Sequence, residues 1–212
     1  MRFTDINVNT DIEIGEYSNR KITLCMASTK KPIRFQIPRM YIPFGVSGFT
    51  PEVGPTKWNV DFSMKGWDEE NNYVKKFYDF LKALERRIID HAMQGEIGSK
   101  LSEGMFNSNI KPNGDFEPKF RVKVDTDVSG FLKPRIFDVN ENDVTCDAEN
   151  GLYSKHSAAA IVELNSVYFL NKMFGITWKL HQMKVYEPQR LKGFQFKIED
   201  GDEDGFEETC DY

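Results

Sequence analysis

The chain has 212 residues, of which 40% are hydrophobic and 29% charged, a composition that fits a globular body with a packed core. No uncharged apolar run approaches the ~20 residues of a membrane-spanning helix. No apolar block follows Met1-Arg2-Phe3-Thr4-Asp5, so neither a spanning helix nor a secretory leader is expected, and the chain reads as intracellular. The formal net charge of −5 hides an asymmetry: residues 198–212 hold eight acids and no Lys or Arg, which leaves 25 acids against 28 basic residues in 1–197.

Residues 1–20 are polar and weakly patterned, and short strands begin at Lys21. Ile33, Phe35 and Ile37 alternate with Arg34 and Gln36, the period-2 mark of a half-buried strand. Pro38 and Pro43 bound the next piece, Arg39–Phe44, and a loop rich in Gly and Pro follows. Trp58, Val60, Phe62 and Met64 alternate with Asn59, Asp61 and Ser63 in a second clear strand. Tyr73, Phe77, Phe80, Leu81, Leu84 and Ile88 then form one apolar stripe at helical spacing. This predicts a helix over about residues 69–94, with Asp68 as its N-cap and Lys75, Lys82 and Arg86 on a solvated face of mixed sign. Farther on, Phe120, Val122 and Val124 alternate with Lys119, Arg121 and Lys123, and Phe131–Asp138 reads as another strand. Residues 158–170 and 175–187 read as a hairpin, and Gly193–Ile198 as a last strand. Cys25 and Cys146 are expected in the core and Cys210 exposed. With three widely spaced histidines, the three cysteines give neither a disulfide framework nor a zinc spacing. The fold class expected is mainly β: an OB-fold-like antiparallel barrel in residues 1–197 with one inserted α-helix, followed by a disordered acidic C-terminal tail at 198–212.

Binding of single-stranded nucleic acid needs cations for phosphates and aromatic faces for bases. Lys119, Arg121 and Lys123 share one strand face, while Phe131, Lys133, Arg135 and Phe137 share another. Arg34, Arg39, Tyr41 and Lys179 add further candidates. In the tail, Glu203, Asp204, Phe206, Glu207, Glu208, Asp211 and Tyr212 combine acids with two aromatics. Such a segment suits a DNA mimic that competes for a basic groove at high effective concentration and docks on partner proteins when displaced. Asp138-Val-Asn140-Glu-Asn142-Asp143 has the spacing of calcium ligands but lacks the glycine such a loop needs, and reads as a turn. No phosphate-binding Gly loop, nucleophile elbow or HExxH pattern occurs. No enzyme activity, cofactor or metal is therefore expected. The reading from a different class is a protein-binding adaptor with a solubilising tail.

Arg39-Met-Tyr-Ile-Pro-Phe44, Lys57-Trp-Asn-Val-Asp-Phe62 leading into the helix, Gly175-Ile-Thr-Trp-Lys-Leu-His-Gln-Met-Lys-Val185 and the tail Glu199–Tyr212 resemble the T-seven-type phage single-stranded DNA-binding proteins, in particular their relatives in large nucleocytoplasmic DNA viruses. The resemblance implies an OB-fold that coats single-stranded DNA, without sequence preference, in replication, recombination and repair. It also implies a homodimer and a tail that contacts the replicative polymerase and the helicase or primase. The family tail ends in Phe, where this chain has Tyr212.

Overall fold

The computed structural model describes residues 1–188. The predicted strand Gly193–Ile198, Cys210 and the acidic segment with its seven candidate residues lie outside the described residues. Alternating burial sets the strands: Ile33 and Phe35 point inward while Arg34 and Gln36 point out, and Phe120, Val122 and Val124 are buried between exposed Arg121 and Lys123. Eleven strands result among the described residues. They are β1 (Ile12–Ser18), β2 (Lys21–Met26), β3 (Ile33–Gln36), β4 (Met40–Ile42), β5 (Val46–Phe49), β6 (Lys57–Ser63), β7 (Ile110–Asn113), β8 (Phe116–Val124), β9 (Arg135–Phe137), β10 (His156–Leu170) and β11 (Met173–Tyr186).

β4, β6, β8, β11 and β10 close a ring, because β10 pairs with both β4 and β11. The only parallel contact in the ring is a single bridge, Lys179 to Lys123, between β11 and β8. Taken around the ring, the five strands fall in the sequential order 1-2-3-5-4 of an OB-fold-like barrel. The predicted hairpin is present. Its two-residue turn, Asn171-Lys172, has left-handed φ values of 49° and 63°, which fit the tight turns that join twisted antiparallel strands.

The helix α1 (Tyr73–Gln94) plugs one end of the barrel. Its Phe77 ring meets Phe120 edge-on at 5.3 Å, its Phe80 meets Phe35 at 5.4 Å, and Trp178 lies 5.4 Å from Phe120 at the barrel centre. The helix starts four residues later than the sequence predicts. Asn71 takes a left-handed φ of 67°, and the Asn72 carboxamide, not Asp68, caps the helix by accepting from Val74 N–H at 2.9 Å. A second helix, α2 (Thr145–Glu149), lies between β9 and β10. It corrects the expectation for Cys146, which is exposed because α2 is five residues long and buries only Ala148. Cys25 is half-buried, since β2 lies outside the closed ring. The stretch 131–138 is a strand only over Arg135–Phe137. Before it, the Asp127 carboxylate accepts from Ser129 and Phe131 N–H and holds a turn. The Asp138 carboxylate accepts from Asn140 and Asn142 N–H, folding that acidic stretch into a turn between β9 and α2. Among the described residues no helix is long and apolar enough to cross a membrane.

Candidate nucleic-acid interface

Cross-strand register assembles the site. Arg34 on β3 lies opposite Glu163 on β10, Glu163 opposite Lys179 on β11, Lys179 beside Lys123 on β8, and Lys123 opposite Asn59 on β6. Residues paired in register share a face of the sheet, so cations far apart in the chain form one belt across the outside of the barrel. The carboxylates on this belt are few and engaged. Glu163 accepts from Arg34 Nε at 2.6 Å, and Asp125 bridges Lys123 and Lys179 at 2.7 Å each. Burial alone would push the Asp125 carboxyl up; the two ammonium groups outweigh it and hold it below the ordinary carboxylate range.

A groove of about 720 Å³ opens at this belt over β6, β8 and β11. Lys57, Lys111, Arg121 and Lys123 bring four cations to it, and the aromatic residues Trp58, itself packed against the core, and Tyr168 line it as well. Below the groove Asp61, only 6% exposed, accepts both arms of the Arg121 fork at 2.7 and 2.8 Å, and Lys119 Nζ lies 3.5 Å away. Burial raises the Asp61 carboxyl, and Arg121 and Lys119 pull it back below its usual value. Asp61 thus keeps the guanidinium upright on the outer face, a positioning role that the sequence does not announce.

The opposite wall is the loop before β7. Gly175, opposite Tyr168 in the hairpin, makes room for it. A methyl group there would lie 2.7 Å from the Asn107 carbonyl oxygen and 2.9 Å from the Tyr168 hydroxyl. With no side chain in the way, Asn107 Nδ2 donates to the Tyr168 hydroxyl at 2.7 Å, and Lys111 Nζ donates to Asn107 Oδ1. Burial lowers the Lys111 ammonium below its usual value, with neighbouring Arg121 acting in the same direction. The buried Oδ1 of Asn109 has no hydrogen-bond partner among the described residues. On the β6 side, Gly48 pairs with Trp58 and leaves space for the indole, whose ring atoms would lie 3.0 and 3.1 Å from any added methyl.

A second cleft, about 360 Å³, continues along β11 from Asp125 and Lys179 to Lys133, Arg135 and His181. His181 stands out because β11 bulges there: Leu180 pairs with Val162 and Gln182 with Ile161, leaving His181 unmatched. The predicted residues therefore separate into groups. Arg121, Lys123, Lys133, Arg135 and Lys179 line the two connected clefts, and Arg34 sits beside them through Glu163. Lys119 lies below the groove on Asp61 and over the Phe44 ring, 5.3 Å from its centroid. Phe137 lines a further cavity beyond Gln182. Arg39 stacks on Tyr186, 4.1 Å from the ring centroid, and donates to Ser157 Oγ. Tyr41 and Phe131 are exposed and line none of these cavities. Sequence reading missed Lys57, Trp58, Lys111 and Tyr168. Trp58 looked like an inward strand residue, and the loop at 107–111 carries no motif.

No protein-family model matches the chain, and no curated protein matches it. Among solved structures, gp2.5, a single-stranded DNA-binding protein encoded by bacteriophage T7, is 13% identical over 77% of this chain and 91% of its own, with a TM-score of 0.49. The single-stranded DNA-binding protein from bacteriophage Enc34 is similar too. In complex with single-stranded DNA it is 10% identical, with a TM-score of 0.44 over 86% of this chain and 98% of its own. Another structure of the same phage protein is 13% identical, with a TM-score of 0.46 over 85% and 93%.

Proposed function

We propose that the protein binds single-stranded DNA without chemistry, by tracking the phosphate backbone with cations and stacking bases on aromatic rings. The observation that carries this reading is the groove itself, where Lys57, Lys111, Arg121 and Lys123 surround Trp58 and Tyr168. It lies over the second and third strands of the barrel ring, the part of such barrels suited to oligonucleotides. The cleft at Lys133, Arg135 and Lys179 extends the track, and Arg34 borders it.

The same proposal gives residues 1–197 the binding role and 198–212 a competing, partner-recruiting role. Glu203, Asp204, Glu207, Glu208 and Asp211 would mimic phosphates, and Phe206 and Tyr212 would anchor a docked partner. The setting would be viral DNA replication, recombination and repair inside the host cell, with the replicative polymerase and the helicase or primase as partners and a homodimer as the working form. Supporting it are the segregation of charge in the sequence and the resemblance described there.

Fluorescence anisotropy of a labelled oligo-dT, measured across salt concentrations, tests the core of the proposal. With four groove cations on phosphates, log K should fall against log salt with a slope of about −3. No binding at low salt would overturn it and leave the protein-adaptor reading in front.

A further inference from the structure

The outer face of β2, β10 and β11 changes character in steps between the groove and the end of the hairpin. Below Lys179 the next row across the three strands is Thr23, Ser166 and Thr177, hydroxyls only. The row after it is Lys21, Tyr168 and Gly175, where Tyr168 borders the groove. The last row is Leu170 opposite Met173, 58% and 41% exposed. Residues two apart on a strand share a face, so this apolar pair stands on the face of Tyr168 and just past it. Neither side chain packs on the core, whereas Phe169 and Phe174 between them turn inward and stack at 5.6 Å. Three cations flank the tip. Arg20 precedes β2, its carbonyl accepting from Phe169 N–H at 3.0 Å; Lys21 begins β2, and Lys172 sits in the hairpin turn. All three are exposed, and none joins an ion pair among the described residues. The cations Arg121, Lys123 and Lys179 differ, being held by Asp61 and Asp125. Glu16 on neighbouring β1 lines a separate cavity with Tyr17, Ile22 and His91.

We propose that the hairpin tip is a duplex-end site, which seats the protein where single-stranded DNA runs into duplex; it rests on the single-strand reading above. A strand that lies in the groove and leaves it past Tyr168 arrives at Leu170 and Met173. Where that strand meets its complement, the first base pair presents a flat apolar face with no stacking neighbour. Leucine and methionine cover such faces when they wedge between base steps, and here the pair is already exposed and aligned across the hairpin. The phosphates of the two strands flank the terminal base pair, and Arg20, Lys21 and Lys172 flank the apolar tip, so the charges match as well as the surfaces. Every base pair offers the same face, so the site adds a preference for structure and none for sequence.

The test compares an oligo-dT of about 20 nucleotides, longer than one OB-fold site, with the same oligomer joined at its 5′ or its 3′ end to a short closed G·C hairpin. The full-length protein should bind one of the joined forms about tenfold more tightly than oligo-dT alone, the scale of covering two half-exposed apolar side chains. The double variant Leu170→Ser, Met173→Ser keeps every charge. It should lose that preference and retain the wild-type affinity for oligo-dT, which also reports that it folds. Lys172→Asn suits the left-handed turn and should lower the salt slope on the preferred joined form by about one unit, with the slope on oligo-dT unchanged. Equal wild-type affinity for the three DNAs, or a preference that the double variant retains, would overturn the site and leave the groove intact. Sedimentation without DNA tests the other use of an apolar tip. Wild type and double variant should have equal mass, and a lower mass for the variant would assign the tip to a contact between copies and overturn the proposal. Absence of wild-type binding to oligo-dT at low salt would instead sink the single-strand reading and the site with it.

Discussion

The Asp125 carboxylate lies between two of the lysines to which the proposed function assigns phosphates. It bridges Lys123 and Lys179, which belong to the groove and to the adjoining cleft, so part of their attraction for a polyanion is spent within the protein. Both lysines keep solvent access, and each ion pair is weak on the scale of exposed pairs. Asp125→Asn is therefore expected to tighten binding of oligo-dT about two- to fivefold and to steepen the salt dependence by about one unit of slope. Anisotropy titrations of the two proteins at several salt concentrations check this, and an unchanged slope would mean that phosphates do not reach this pair. The pH dependence follows from the same contacts. Burial raises the Asp125 carboxyl, but the two lysines outweigh it, so the wild type should show the same gain only as pH falls beneath the ordinary carboxylate range, where that depressed group takes up a proton. Alternation in the sequence exposed Lys123 and Lys179 as outward residues. It could not show Asp125 between them, because that contact depends on the single bridge at which β8 meets β11.

The hairpin β10–β11 serves as a scaffold for the groove wall as well as a barrel closure. Gly175 admits the Asn107 backbone, whose N–H donates to the Phe174 carbonyl at 2.7 Å, and thereby positions Tyr168 and Lys111. Gly175→Ala would push this loop outward, because the added methyl meets a backbone oxygen that has no rotamer by which to retreat. The expected result is a loss of about 1–3 kcal/mol of stability, seen as a lower Tm, together with weaker oligo-dT binding. Retained affinity would show that the loop does not touch the ligand. The hairpin itself was legible, since its two apolar runs are long and its turn is short. Its partner was not: nothing in Asn107–Lys111 marks it as a groove wall, and Tyr168 reads as one more strand aromatic until register sets it against a glycine. The start of α1 escaped for a local reason, since Asn71 and Asn72 divert the chain before a stripe that would otherwise extend the helix.

At the level of the whole chain, a belt of cations on the barrel is joined to eight acids in the last 15 residues. Tethering raises the local concentration of that segment far above what free peptide would reach. Deleting residues 199–212 should tighten oligo-dT binding about tenfold at low ionic strength, with the difference shrinking as salt screens the competition. Titrations of both forms at two salt concentrations decide the matter, and equal affinity at low salt would exclude competition by the tail. Fold class was open to sequence reading because strand alternation and one helical stripe leave few arrangements. The ring was not, because closure depends on the pairing of β10 with β4 across more than a hundred residues of chain. That same topology governs how the molecule comes to exist. β10 and β11 pair with strands from both halves of the chain, yet they are made last among the described elements. Phe35, Phe62, Phe77 and Phe120 must wait for Trp178 before the barrel interior is complete. Folding dominated by such distant pairings is slow, on the order of milliseconds to seconds. During synthesis the emerging chain therefore carries an open, aromatic-lined sheet until its final hairpin arrives, an interval in which a chaperone or crowding by neighbouring copies would decide its yield.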